Sequence, residues 1–147
     1  MMRSLLFFFI IGLILPFSPQ ASAVSNPWLR TCRVDAGQFW VLKSSVGELS
    51  LCFFGDYAVG AEAFFLFKTR AGVADAIQAY KNRNSSSSRG GVCGSFGAEV
   101  VEGKDTAGQT FNVCRFSDQS LIEETTLWLG AGAAGSERLD EALSKTY

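Results

Sequence analysis

The sequence predicts an α+β fold made of a duplicated β-β-β-α unit: an antiparallel sheet with two helices packed on one face, stabilised by disulfide bonds. Three observations predict this class. Four cysteines form two pairs at nearly equal intervals, 20 positions from Cys32 to Cys52 and 21 from Cys93 to Cys114. Apolar residues alternate along the segment that carries the second cysteine of each pair. Each half ends in a stretch with the apolar spacing of an amphipathic helix.

The first element along the chain is typical of a secretory signal peptide. Arg3 precedes an apolar run from Leu5 to Leu15, and residues 18–23 end in a small-x-small sequence, so we expect cleavage after Ala23. The run is shorter than the roughly 20 residues that span a bilayer, which disfavours the alternative of an uncleaved anchor. We therefore expect an exported protein, periplasmic or secreted.

Length and charge bound the remainder of the chain. Removal of residues 1–23 leaves 124 of the 147 residues, a size that fits one domain. Arg3 is the one charged residue removed, so the remaining formal charge is −2, which excludes the basic face of a nucleic-acid binder. We predict a first unit at 24–83, a linker at 84–91 with the serine and glycine content of a flexible connection, and a second unit at 92–147.

The cysteines predict disulfide bonds. Export would place all four in an oxidising compartment, where disulfides persist, and three pairings are open from the sequence. The matched intervals favour Cys32 with Cys52 and Cys93 with Cys114, because each unit then carries its own crosslink. The alternative is a zinc site of four thiolates, which the absence of a Cys-x-x-Cys pair disfavours.

Each unit begins with a predicted β-hairpin, at residues 39–54 and 98–116, around turn-prone sequences at 45–48 and 104–108. Cys52 alternates with Leu51 and Phe53, so it shares a strand face with Phe54. Residues 62–69 and 124–130 are predicted third strands, the first apolar on both faces and therefore central in the sheet. A helix follows each one: Gly72 to Arg83 in the first unit, and in the second a helix capped by Ser136.

Superposition of Cys52 on Cys114 supports the duplication. It aligns four further pairs of similar residues at identical spacing: Phe54 with Phe116, Asp56 with Asp118, Glu62 with Glu124, and Phe65 with Leu127. Chance similarity of two short strands is the alternative, and the matching cysteine intervals make it the weaker one. Missing such a repeat would misassign the whole fold.

Residues 26–68 resemble a family of small exported bacterial proteins, Domain of Unknown Function 333, whose members are often labelled haemolysins. The resemblance lies in the Asn-Pro opening before Cys32, a glycine before Cys52, then Phe54, Asp56, an acidic residue and an aromatic one. Residues 93–130 fit the pattern more weakly. Gly55 and Ser117 stand where the family has proline, and Tyr57 and Gln119 replace its turn glycine. The resemblance implies an exported, disulfide-stabilised module in two tandem copies and no particular reaction.

The sequence contains no evident catalytic constellation. It has no histidine, which removes histidine-activated nucleophiles and histidine metal ligands. Asp56 and Asp118 are typical of turns. The glycine-rich stretch at 129–136 is similar to phosphate-binding loops but lacks the dinucleotide spacing and the P-loop lysine, so we interpret it as a connection. We therefore predict no enzyme, no cofactor and no metal site.

Three residues are candidate binding residues: Trp28, Glu62 and Glu124. Trp28 lies outside the predicted strands, and tryptophan often dominates interfaces. Each glutamate precedes a predicted apolar strand, where it pairs with Arg33 or Arg115 or faces water. We expect the glutamates to be structural first, so that Glu124→Gln lowers stability more than binding.

These features predict a non-enzymatic binding module, inhibitor-like or an interaction protein, whose partner is a protein or an envelope component. Neither nucleic acid nor a transmembrane segment after signal cleavage is expected. The alternative is the membrane-damaging factor that the family label suggests, although no basic amphipathic helix supports it. A third reading is an enzyme that uses a pair of carboxylates, such as a glycosidase.

Overall fold

The computed structural model describes residues 26–83 and 88–147. The predicted signal peptide and residues 84–87 of the predicted linker lie outside this part. Residues 26–83 form α1 (Pro27–Val34), β1 (Gln38–Ser44), β2 (Gly47–Phe54), β3 (Tyr57–Gly60), α2 (Ala61–Lys68) and α3 (Asp75–Lys81). Residues 88–147 form a 3₁₀ turn (Arg89–Gly91), α4 (Val92–Ser95), β4 (Glu99–Lys104), β5 (Thr110–Arg115), β6 (Leu121–Glu123), α5 (Glu124–Leu129) and α6 (Glu137–Ser144).

The six strands form a closed antiparallel barrel in the order β1-β2-β3-β6-β5-β4. The predicted antiparallel sheet is confirmed, but it has no open edges, because pairing of Lys43 with Lys104 closes one seam and pairing of Val59 with Ile122 closes the other. At each seam a glycine allows the neighbouring strand to approach closely. A Cβ at Gly103 would lie 2.9 Å from Leu42 Cβ, and a Cβ at Gly60 would lie 3.0 Å from Leu121 Cβ. Closure removes the unpaired strand edges that invite aggregation.

Both predicted hairpins are present, and local side chains form their turns. Ser44 and Gly47 pair at the end of the first hairpin, and the Ser44 hydroxyl donates to the Gly47 carbonyl at 2.6 Å. In the second hairpin a carboxylate oxygen of Asp105 accepts hydrogen bonds from the amides of Ala107 and Gln109. Serine and aspartate close turns in this way because their short side chains reach the backbone two to four residues on.

Strand alternation produces two separate hydrophobic clusters, as the sequence predicts for the second hairpin arm. One cluster fills the barrel with inward-facing strand residues: Leu42, Leu49, Leu51, Phe53, Ala58, Val101 and Val113. Cys52 and Phe54 face the opposite way, into the cluster between the barrel and the helices. Because the side-chain period of a strand is two, one register determines both clusters at once.

The predicted disulfides are present: Cys32 is bonded to Cys52 and Cys93 to Cys114, and no cysteine of the described residues is free. The zinc alternative is therefore excluded for these four thiols. Each bond joins a short helix, α1 or α4, to the second strand of a hairpin, β2 or β5. All four cysteines are essentially buried, so both bonds lie within the cluster under the helices.

The predicted third strands at 62–69 and 124–130 are wrong. These segments form the helices α2 and α5, and the third strands are the shorter β3 and β6 just before them. Ala61, Phe64 and Lys68 repeat at helical spacing and are fully buried on one face of α2. A short apolar run does not reveal its period, so a buried helix and a buried strand look alike in the sequence.

Residues 26–83 and 88–147 contain six α-helices, whereas the sequence predicts two in this part of the chain. The expected helix at Gly72 to Arg83 is confirmed at its centre as α3, but Val73 precedes it and is 51% exposed. The expected helix after Ser136 is α6. Ser136 does not cap it through its side chain, since its hydroxyl donates to Asp140 instead. No helix within residues 26–83 and 88–147 is long and apolar enough to cross a membrane.

Candidate binding cleft

A cleft of about 520 Å³ opens beside the seam where β3 meets β6. Six segments surround it: the β1–β2 turn, the start of β2, the first turn of α1, the first two turns of α2, the loop before α3, and the end of β5 with the β5–β6 turn. Pockets that hold small-molecule ligands span roughly 300–1,000 Å³. The cleft is therefore large enough to enclose a ligand or a short part of one.

Apolar side chains line much of the cleft. Leu49 is buried there, and Leu66 and Leu121 are half-buried. Val46 and Val73 are 48% and 51% exposed and lie on different loops around the opening. Contiguous exposed apolar surface beside polar residues marks interaction sites more often than isolated apolar residues do.

Trp28 enters the cleft from the first turn of α1. Asn26 caps this helix, since its side-chain oxygen accepts from the amides of Trp28 and Leu29 at 2.9 and 3.4 Å. Pro27 occupies the first helical position, where its missing N–H costs no hydrogen bond. The Asn-Pro sequence thus fixes the start of the helix and, with it, the position of the indole.

Three carboxylates and one guanidinium also line the cleft: Glu48, Glu62, Asp118 and Arg115. Arg115 forms an ion pair with Glu99 across the β4–β5 ladder. Glu48 lies opposite Lys43 in the hairpin without forming an ion pair. Within residues 26–83 and 88–147, Glu62 accepts no side-chain hydrogen bond and forms no ion pair, and it is exposed.

Asp118 is committed to the fold. One of its oxygens accepts from the amide and the hydroxyl of Ser120 at 2.9 and 2.5 Å, and the other accepts from the amide of Asp75 at 2.9 Å. The Ser120 hydroxyl in turn accepts from the amide of Ala76. Burial acts to raise the pKa of Asp118, but the hydrogen bonds from Ser120 and from the Asp75 amide outweigh it and lower the pKa. The β5–β6 turn therefore caps α3.

Of the three candidate binding residues, Trp28 and Glu62 lie on the cleft and Glu124 does not. Glu124 is 5% exposed and accepts a hydrogen bond from the side-chain amide of Asn112 at 3.0 Å. Neither glutamate pairs with Arg33 or Arg115. The alignment of the two halves predicts equivalent positions for Glu62 and Glu124, but in the structure Glu62 lies on the cleft and Glu124 is buried away from it.

A single extra residue causes this mismatch. Cys52 pairs with Val59, seven positions on, whereas Cys114 pairs with Ile122, eight positions on. The second turn is longer, and Gln119 occupies a left-handed backbone conformation in it, with φ 67°. Counted from the paired residues Val59 and Ile122, Glu62 therefore corresponds in position to Thr125, so the alignment of Glu62 with Glu124 is off by one residue.

At the second strand-to-helix junction the sequence analysis did not single out Glu123. This side chain is 7% exposed and caps α5, accepting from the amides of Thr125 and Thr126 at 2.9 and 2.7 Å. It also accepts from the Thr126 hydroxyl at 3.1 Å, and that hydroxyl accepts from the Ala58 amide at 2.8 Å. These bonds join β3 to α5 across the seam. Glutamate is not among the residues preferred at a helix N-cap, so no signal in the sequence points to this cap.

Lys68 is another residue that the sequence analysis missed. Its ammonium group is fully buried and donates to Asp35 and to the Ala142 carbonyl, both at 2.8 Å. Tyr147 lies beside it, 4.8 Å from the ammonium to the ring centre, and donates to Asp35. Burial, and then the hydrogen bond to Asp35, raise the pKa of Tyr147 to about 12. The cluster joins α1, α2 and α6 and serves packing.

The glycine-rich stretch at 129–136 is held in place by Asp140. This carboxylate accepts from the Gly132 amide, the Ser136 hydroxyl and the Tyr80 hydroxyl at 2.9, 2.5 and 2.8 Å. Burial, and then the hydrogen bond to Asp140, raise the pKa of Tyr80. A carboxylate that occupies the amide of such a loop repels a second anion. The loop is therefore a connection, and a phosphate site there is disfavoured.

The cleft thus combines an apolar lining with an indole and an exposed carboxylate that has no partner among the described residues. This arrangement suits recognition of a ligand by contact and charge. A comparison with family models, curated proteins and solved structures finds no match to this chain.

Proposed function

We propose that this chain is an exported, non-enzymatic binding module whose cleft holds part of a partner protein or envelope component. The observation that carries the proposal is the convergence of Trp28, Glu62 and two exposed valines on one cavity. A tryptophan in a partly apolar recess is a frequent interface anchor, and exposed valines gain free energy when a partner covers them.

The disulfides support the exported location. Two buried bonds close loops of similar length, and such bonds persist in the periplasm or outside the cell but are rare in the cytosol. The apolar N-terminal run and the expected cleavage after Ala23 are the second support, and they rest on the sequence alone.

We also propose that the chain is an internal duplication related to Domain of Unknown Function 333. The same order of a helix, three strands and two helices in residues 27–81 and 92–144 supports the duplication. The family assignment rests on the sequence resemblance. Gly55 has φ 71°, which proline does not adopt, so the first turn departs from the proline-containing turn of that family.

A selection from a random peptide display library tests the binding proposal. The matched variants are Val73→Ser, which alters the cleft, and Val34→Ser on α1, which alters a valine of similar exposure outside it. We expect selected peptides to bind Val73→Ser and Trp28→Ala several-fold more weakly than the wild type and to bind Val34→Ser unchanged.

Two outcomes would overturn the proposal. One is a set of selected peptides that binds both serine variants equally, because the cleft would then play no part. The other is leakage of lipid vesicles caused by low concentrations of the purified protein, which would favour the membrane-damaging alternative.

A further inference from the structure

We infer that the cleft selects a protein segment in which a lysine or arginine is flanked by apolar side chains, with the basic group paired to Glu62. This inference rests on the proposed binding function and specifies its ligand. It comes from comparing which charges around the cleft are already paired and which are not.

The charged side chains that line the cleft differ in whether they already have ion-pair or hydrogen-bond partners. Arg115 is neutralised by Glu99, so it offers an incoming anion little attraction. Asp118 accepts three hydrogen bonds that hold its own turn and the start of α3. Glu62 is exposed and has no such commitment within residues 26–83 and 88–147, and Glu48 is likewise exposed on the cleft. The charge available to a ligand is therefore negative.

A ligand that covers the cleft is selected by the negative charge of Glu62. A ligand that packs against Val46 and Val73 also removes water from Glu62, because all three side chains line the same cavity. Desolvation of an unpaired carboxylate is costly, whereas a cationic side chain compensates for part of that cost. An apolar or acidic segment of the same shape would leave Glu62 without compensation.

The aromatic and apolar lining favours the same ligand. Trp28 borders the cavity, and the face of an indole attracts ammonium and guanidinium groups. The long hydrocarbon stem of lysine or arginine packs on apolar surface while its charged end stays near solvent. A negatively charged membrane surface meets the opposite conditions, since Glu48 and Glu62 would repel it.

Parallel selections from one random peptide library test the inference, using the wild type and Glu62→Lys. We expect peptides selected by the wild type to be enriched in lysine and arginine and peptides selected by Glu62→Lys to be enriched in aspartate and glutamate. Glu62→Gln should lower the affinity for the basic peptides roughly tenfold, which is the effect expected from losing one partly desolvated charge pair. Glu102→Gln, on the exposed face of β4, is the control and should bind them as the wild type does.

The outcomes separate the two proposals. Peptides that depend on Val73 but show no basic enrichment, or whose charge preference does not invert with Glu62→Lys, would overturn this inference and leave the binding function intact. Peptides that do not depend on Val73, or a library that yields no binders, would overturn both.

Discussion

The two junctions at which a third strand leads into a helix occupy equivalent places in the barrel but are built differently. At the first, β3 ends in Gly60, and α2 has no side-chain cap. At the second, β6 ends in Glu123, which caps α5 through both carboxylate oxygens and reaches β3 through Thr126. The first junction leaves Glu62 exposed on a cleft, whereas the second is filled by its own acidic side chains.

The strand residues that follow Cys52 and Cys114 differ in the opposite sense. Phe53 follows Cys52 and packs inside the barrel, with ring centres 4.5 Å from Trp40 and 5.5 Å from Phe111. Arg115 follows Cys114 and lies on the cleft. Two segments with the same order of helices and strands therefore differ in detail: the second junction bonds across the seam through Thr126, and the first leaves Glu62 exposed on the cleft.

The largest expected loss of stability comes from removing a disulfide, and it tests whether the two bonds stabilise the two halves equally. Replacement of Cys32 and Cys52 by alanine, or of Cys93 and Cys114, should lower the free energy of unfolding by about 3 kcal/mol in each case, because the closed loops are nearly equal in length. Urea unfolding of the two double variants measures this. A difference of more than about 2 kcal/mol between them would break the equivalence of the halves.

The next effect concerns the second junction alone. Thr126→Val keeps the shape of the side chain but removes the hydroxyl that bonds both Ala58 and Glu123, leaving a buried amide without its acceptor. We expect a loss of about 2 kcal/mol in urea unfolding. Thr125→Val is the matched control and should stay within about 0.5 kcal/mol. Equal effects at both threonines would mean that the hydrogen bonds across the seam contribute little.

The smallest expected loss of stability concerns Asp118 in the turn before the second junction, with Asp56 in the turn before the first junction for comparison. Hydrogen bonds lower the pKa of Asp118 in the folded protein, so its contribution is present above the usual value of 3.8 and is lost as the pH falls through the folded pKa. Asp118→Asn should therefore cost about 1 kcal/mol near neutral pH, a modest value because solvent screens this partly exposed group, and the cost should shrink below about pH 4.

The first turn provides the control for this pH dependence. Asp56 is exposed, and its side chain accepts no hydrogen bond within residues 26–83 and 88–147. Asp56→Asn should leave the free energy of unfolding within about 0.5 kcal/mol of the wild type. Thermal unfolding of both variants between pH 3 and 7 makes the comparison, and a cost for Asp118→Asn that does not change with pH would contradict the assignment.

Local patterns in the sequence were enough to predict part of this fold. The alternation around Cys52 set the two faces of β2, and the matched cysteine intervals gave the disulfide pairing, because both depend on residues that are close in sequence. The helix α2 looks like a strand in the sequence because its eight residues are too few to show a period. Asn26 and Pro27 carry a local signal for the start of α1, an N-cap followed by proline at the first helical position.

The remainder depends on contacts between distant segments. Barrel closure requires the pairing of Val59 with Ile122, and no local pattern specifies a register between strands that lie so far apart. The cleft combines segments from both halves, so Trp28 and Glu62 could be chosen as candidates but not placed together. An ungapped comparison aligns Glu124 with Glu62, because it does not show that the turn at Gln119 is one residue longer.

One pair of variants tests most directly whether the first junction serves binding and the second serves stability. Glu62→Ala and Glu123→Ala are each measured for the free energy of unfolding in urea and for affinity toward a basic peptide selected by the wild type. We predict that Glu62→Ala stays within about 0.5 kcal/mol of the wild type but binds roughly tenfold more weakly, and that Glu123→Ala loses about 2 kcal/mol while its affinity stays within about twofold. Equal losses of stability in the two variants, or equal losses of affinity, would contradict the account.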